Sequence, residues 1–207
     1  MKASNTLSRT LGVAVLLLPV TFLAWHALGS VLAAPSVWLC GWVLELWLPD
    51  IVANTSLHGS EMLVQLTHGE TGGQLLPAAQ AGNALAFRED TRIISYAIPF
   101  FAALHFATAI DHPLERFARS LLLLWLLIGC ALVCISLKQL LLILGDQLYT
   151  AATWVPPPAA IALAYQFFVL IIPSLAPVLL WGWHARDLPA FRSLFAPPQA
   201  AAPQPSD

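Results

Sequence analysis

Apolar residues run almost unbroken through five stretches of this chain: Leu11 to Ala34, Ser36 to Leu48, Ile93 to Ile110, Ser120 to Leu144 and Ala159 to Trp183. The hydrocarbon core of a bilayer is about 30 Å thick and takes roughly 20 apolar helical residues to cross, so four of these stretches read as transmembrane helices. Ser36 to Leu48 is too short to cross alone, and Trp38, Trp42 and Trp47 give it the aromatic character of a membrane interface. Proline disfavours helix at the residue before it, so Pro35 predicts a kink, with 36–48 leaning along or just above the outer surface.

Between Asp50 and Arg92 the texture becomes polar and glycine-rich. Ile51 to Leu57 and Met62 to Thr67 read as strands joined through His58-Gly59-Ser60-Glu61, a hairpin signal, and Ala84 to Phe87 supplies a third strand after a Gly/Ala/Pro loop over 72–82. The polar loop from Asp111 to Arg116 predicts a helical hairpin between the second and third membrane helices, while Pro173 and Pro177 are kink points in the fourth. The fold expected is a membrane all-α bundle of about four transmembrane helices with a small extracytoplasmic β-hairpin cap. It divides into a first transmembrane helix plus interfacial helix (1–49), the β-rich cap (50–92), three transmembrane helices (93–185) and a disordered, Pro/Ala/Gln-rich tail (186–207).

Composition supports the membrane class: 58% of the 207 residues are hydrophobic, 10% are charged and the mean hydropathy is +0.75. The nine basic residues are scattered singly, which argues against nucleic acid and leaves the lipid bilayer as the partner that composition implies. Lys2 and Arg9 before the first apolar run imitate a signal peptide. That run is longer than a typical signal core, and Pro35 follows the Ala33-Ala34 site unfavourably, so the helix reads as uncleaved. Lys2, Arg9, Arg116, Arg119, Arg186 and Arg192 flank membrane ends on one side, against Arg88 and Arg92 on the other. The positive-inside rule then puts both termini in the cytoplasm and the β-rich segment outside.

Intramembrane polar residues define the candidate site. An ionisable group at mid-bilayer costs roughly 2.5–3.5 kcal/mol on insertion scales, so Lys138 needs a partner or a route to water. Helical counting places Tyr165 and Gln166 near its depth, with Ser95 and Tyr96 at the outer end of the second helix and Glu45 in the interfacial segment. Glu45, Tyr96, Lys138, Gln139, Tyr165 and Gln166 thus form a candidate polar layer beneath the cap, with Lys138 and Glu45 as an ion pair and Gln139 and Gln166 as interhelical hydrogen-bonders. The plain alternative is that Lys138 snorkels to the nearby interface.

Catalytic and metal chemistry find little footing. Cys40, Cys130 and Cys134 lie in apolar stretches without metal-ligand spacing and read as packing residues. His105 falls near the inner end of its helix, away from Cys130 and Cys134, so a Cys/His hydrolase does not assemble. His26 reads as a packed histidine, and His58 and His68 with Glu61 or Glu70 sit in turn regions that make poor metal ligands. No catalytic residue, metal or cofactor is assigned.

Several short motifs carry a resemblance. Leu18-Pro19-Val20-Thr21-Phe22 leading to Trp25, Ile98-Pro99-Phe100 at the start of the second helix, Leu137-Lys138-Gln139, and Tyr165-Gln166 followed by Pro173 and Ala176-Pro177 resemble the exosortase H-associated membrane proteins. The resemblance implies a bacterial inner-membrane accessory of protein sorting and no defined reaction, and the leading expectation is a non-enzymatic partner that binds exosortase H or the tail of a sorted substrate. The alternatives from other classes are a small transporter or permease-like subunit and a cryptic membrane hydrolase.

Overall fold

The computed structural model describes residues 2–72, 74–186 and 188, with side chains from residue 8 onward. The first helix, α1 (Lys2–Trp47), contains both Pro19 and Pro35 and continues past them. Residues 36–47 therefore extend the first helix and are not a separate interfacial piece. Proline removes one backbone donor, a loss that helices in apolar surroundings tolerate where neighbours fix the freed segment. Here the neighbour is α5 (Pro113–Leu144). Trp125 Nε1 donates to the Leu32 carbonyl at 2.8 Å, and Ser36 Oγ donates to the Trp125 carbonyl at 2.9 Å. These two bonds grip α1 on either side of Pro35.

Strands β1 (Val52–His58), β2 (Glu61–Leu66), β3 (His68–Thr71) and β4 (Gln74–Pro77) follow, then a single turn of helix, α2 (Ala78–Ala81), and β5 (Ala86–Asp90). One antiparallel sheet has the order β1-β2-β5, and β3 pairs with β4 in a separate ribbon. The β1–β2 hairpin closes over Gly59-Ser60, with His58 opposite Glu61 and Gly59 at φ +62°, the left-handed conformation that two-residue hairpin turns require. In β2 the alternation is clean: Met62, Val64 and Leu66 are buried and join the helical core. Both predicted strands of the hairpin are present within a residue or two. The third strand pairs with β2 as 86–90, somewhat later than 84–87. β4 and α2 fall where a loop over 72–82 was expected, and β3 just before it pairs with β4.

Gly69 explains why that ribbon forms. The Asn83 side chain clasps the Glu70 backbone, accepting from its N–H through Oδ1 and donating to its carbonyl through Nδ2, both at 3.1 Å. A Cβ at Gly69 would collide with the Asn83 carbonyl oxygen and side chain.

After β5 come α3 (Arg92–Ser95) and α4 (Ala97–Phe106), which together make a shorter apolar helix. The second membrane helix expected over 93–110 thus ends early, before the turn that leads into α5. His112 at φ 51° and Pro113 at the first helical position start α5 well before Ser120. After α6 (Gln147–Ala151), the last apolar stretch is composite: α7 (Pro158–Tyr165), a π-helical turn over Gln166–Ile171, and α8 (Ile172–Ala185). Pro173 has no N–H to offer the preceding turn and its ring crowds the carbonyl four residues back, which accounts for the widened turn.

Among the described residues, three helices are long and apolar enough to cross a membrane: Ser8–Trp47, Pro113–Leu144 and Pro158–Ala185. In its most apolar window α5 is 56% buried, against 6% for the first of these, so α5 is the central post and much of α1 faces outward. The tail predicted after Arg186 lies, apart from Leu188, outside the described residues.

Gly69→Ala is expected to abolish hydrogen-exchange protection over residues 68–77 and to destabilise that ribbon by about 1–3 kcal/mol, the range for a substitution that forces backbone strain. Gly182→Ala, where a Cβ meets nothing within 4 Å, should leave exchange unchanged.

Candidate functional site

The six residues singled out from the sequence do not form one layer. Lys138 and Tyr165 do meet: the ammonium sits 4.1 Å from the Tyr165 ring centroid, across α5 and α7. A cation over an aromatic face gains about 0.5–2 kcal/mol, which offsets part of the cost of holding Lys138 half-buried. Gln166 is the first residue of the π turn and is exposed beside this contact.

Glu45 is elsewhere. It lies exposed on the last turns of α1, and its Oε1 accepts from the Thr55 backbone N–H at 2.8 Å, fixing β1 just past the irregularity between Val52 and Asn54. Gly41 allows this approach, since a Cβ there would stand 3.0 Å from the Thr55 Cβ. The expected Glu45–Lys138 ion pair is not among those formed between described residues, which are Arg88–Glu61 and Arg119–Glu115. Glu45 is drawn to an unpaired strand N–H closer at hand.

Gln139 also bonds differently from expectation. Its Nε2 donates at 2.6 Å to Oε1 of Glu89, a buried residue on β5. Glu89 stands opposite Met62 in the sheet and so shares the face turned to the helices. The bond ties sheet to bundle, not helix to helix. Sequence reasoning passed over Glu89 because it lies in an exposed-looking run, Arg88-Glu89-Asp90. The signal was the alternation with Phe87, which puts 87 and 89 on one face.

Tyr96 is deeper in the bundle. Its hydroxyl is 2.9 Å from Ser174 Oγ, and nine residues of helix separate Ser174 from Tyr165, roughly 13 Å of rise. Tyr96 also lines an open apolar cleft of about 600 Å³ with Val15, Leu18, Pro19, Phe22 and Phe100. Neighbouring Ser95 accepts from Trp25 Nε1 at 3.1 Å.

A second polar cluster, at the end of the bundle away from the sheet, was not anticipated as a unit. His184 Nε2 lies 2.8 Å from Ser120 Oγ, joining α8 to α5. The His105 ring packs perpendicular to His184 at 5.5 Å and against Phe101, Phe106 and Phe117, and its Nε2 donates to the Pro113 carbonyl at 2.8 Å. His105 thus serves the α4–α5 turn. In the sheet, His58 meets Ser56 and His68 meets Thr67, while Glu61 pairs with Arg88.

A bundle with three helices long and apolar enough to cross a membrane, carrying a small antiparallel sheet, is a helical membrane protein. The family model for exosortase H-associated membrane proteins matches residues 4–188, and the chain belongs to that family. No curated protein and no solved structure matches it.

Gln139→Leu would leave the buried Glu89 carboxyl without its donor and is expected to cost about 1–3 kcal/mol of stability. Glu89→Leu combined with Gln139→Leu should recover part of that loss, a coupling that thermal unfolding of the two single variants and the double variant in detergent measures.

Proposed function

We propose that this protein is a non-enzymatic inner-membrane accessory of an exosortase H sorting system, and that it binds the sorting enzyme or the apolar tail of its substrate. The reading places the sheet on the extracytoplasmic side. Arg9, Arg116, Arg119 and Arg186 at the opposite end outnumber Arg88 and Arg92 at the sheet end, as the positive-inside rule favours.

The observation that carries the proposal is the Lys138–Tyr165 contact. The charge is held by an aromatic ring with no carboxylate within salt-bridge distance among the described residues, beside the π turn that begins at Gln166. A cation held this way keeps donors available to an incoming acceptor such as the carbonyl or carboxylate of a partner segment. Widened turns of this kind recur at functional positions in helices. Glu45, Gln139 and Glu89 serve the reading by fixing the sheet over the helices, and Tyr96 by lining the outward-facing cleft against α1. Membership of a family named for its association with exosortase H supports the choice of partner.

Affinity purification of the tagged protein from its native membrane in mild detergent, followed by mass spectrometry, is expected to recover exosortase H or a sorted protein. Lys138→Ala should lower that recovery at least fivefold at unchanged protein level. Equal recovery with the variant would reject Lys138 as the contact, and recovery of neither partner with intact wild-type protein would remove the accessory reading.

A further inference from the structure

At the end of the bundle away from the sheet, α5 and α8 part to leave an open pocket of about 370 Å³ lined by Arg116, Arg119, Ser120, Trp183, His184 and Arg186, with Leu123 and Leu180 beside them. This volume is in the range that holds a small ligand or a headgroup. Helical spacing brings the lining together. Arg116, Arg119, Ser120 and Leu123 follow one face of α5 at intervals of three and four, and Leu180, Trp183 and His184 do the same on α8.

The chemistry of the lining is graded. Three guanidinium groups, the Ser120 hydroxyl and the His184 ring form the polar part, and the leucines lie one turn further into the bundle. Ser120 is almost fully buried and already hydrogen-bonded to His184, so the pocket wall is fixed. Arg186 lies with its guanidinium carbon 4.0 Å from the centre of the Trp183 ring, and Trp183 is itself largely exposed. Arg119 contacts Glu115 at 3.3 Å with both side chains about two-thirds exposed, a pairing that an incoming anion displaces easily. Arg116 has no carboxylate within salt-bridge distance among the described residues. Arg116, Arg119 and Arg186 thus gather three basic groups around one opening.

Guanidinium presents N–H donors in a planar fork that matches phosphate oxygens two at a time, and several such forks around one opening suit a tetrahedral anion. A basic pocket between membrane helices, floored by leucine and edged by an interfacial tryptophan, fits an amphiphile with its charged head among the arginines and its chain along the leucines. We propose that this pocket binds a phosphate group, carried by an anionic membrane lipid. The site is independent of the Lys138 reading, which concerns the other end of the molecule.

The test is a titration of the full-length protein, purified in a mild uncharged detergent, with short-chain phosphatidylglycerol, short-chain phosphatidylcholine and inorganic phosphate, read by native mass spectrometry. Wild-type protein is expected to hold phosphatidylglycerol at least tenfold more tightly than phosphatidylcholine. R116Q/R186Q should erase that preference, R88Q/R92Q at the sheet end should retain it, and R116K/R186K, which keeps both charges, should retain part of it where a collapsed pocket would not. Resistance of the bound lipid to equimolar inorganic phosphate supports a lipid headgroup as the ligand. Displacement by equimolar phosphate supports the phosphate site but assigns it to a soluble ligand. Equal binding of the two lipids by the wild type, or an undiminished preference in R116Q/R186Q, overturns the proposal.

Discussion

The close approach of α1 and α5 at Gly129 sets the frame on which the other elements are hung. A Cβ at Gly129 would stand 2.8 Å from the Leu39 side chain, and the bonds from Trp125 to Leu32 and from Ser36 to Trp125 lie within about a turn of it. In an apolar solvent there is little hydrophobic drive between helices, so small residues at the contact and interhelical hydrogen bonds decide which faces meet. Once α1 and α5 are locked, the C-terminal turns of both carry the sheet: Glu45 holds β1 and Gln139 holds β5. The core is accordingly continuous from Val37 and Leu44 through Met62 and Val64 to Leu132 and Leu140.

Polar side chains divide the bundle into three levels. Near the sheet, Glu45, Gln139 and Glu89 are engaged by the sheet backbone or by one another, and Lys138 rests on Tyr165. In the middle, Tyr96 and Ser174 join α4 to α8 through hydroxyl groups. At the far end, Ser120 and His184 close α5 on α8, while Trp181 Nε1 donates to Thr108 at 2.8 Å beside the turn out of α4. Each level leaves something unoccupied by the protein itself: a lysine on a ring beside a widened turn, an apolar cleft against α1, and a basic pocket between α5 and α8. The levels belong to different depths, so these three features are separate surfaces of the molecule.

Much of this architecture was legible before any coordinates. The β1–β2 hairpin was readable because Gly59 falls between two alternating runs, and helical rise alone put Lys138 and Tyr165 near one depth, although the partner expected for Lys138 was Glu45. Pro35 misled, since a proline's effect on a helix depends on whether a neighbour holds the segment, and that neighbour lies some ninety residues away. The β3–β4 ribbon was hidden for a similar reason. Its determinants are Gly69 and Asn83, whose interaction is a contact and not a pattern. Arg116, Ser120 and His184 were each visible singly, but nothing in sequence spacing joins α5 to α8.

By itself, then, the sequence determined the membrane class, the hairpin of the small sheet and three of the four long apolar helices it led one to expect, because hydropathy and helical or strand periodicity are local properties fixed residue by residue. Only the tertiary structure decided which polar groups bond to which. Hydrogen bonds act over about 3 Å, and at equal depth a helix offers several faces, so the choice of Glu89 for Gln139, of a strand N–H for Glu45 and of His184 for Ser120 depends on helix rotation and packing that no single segment encodes.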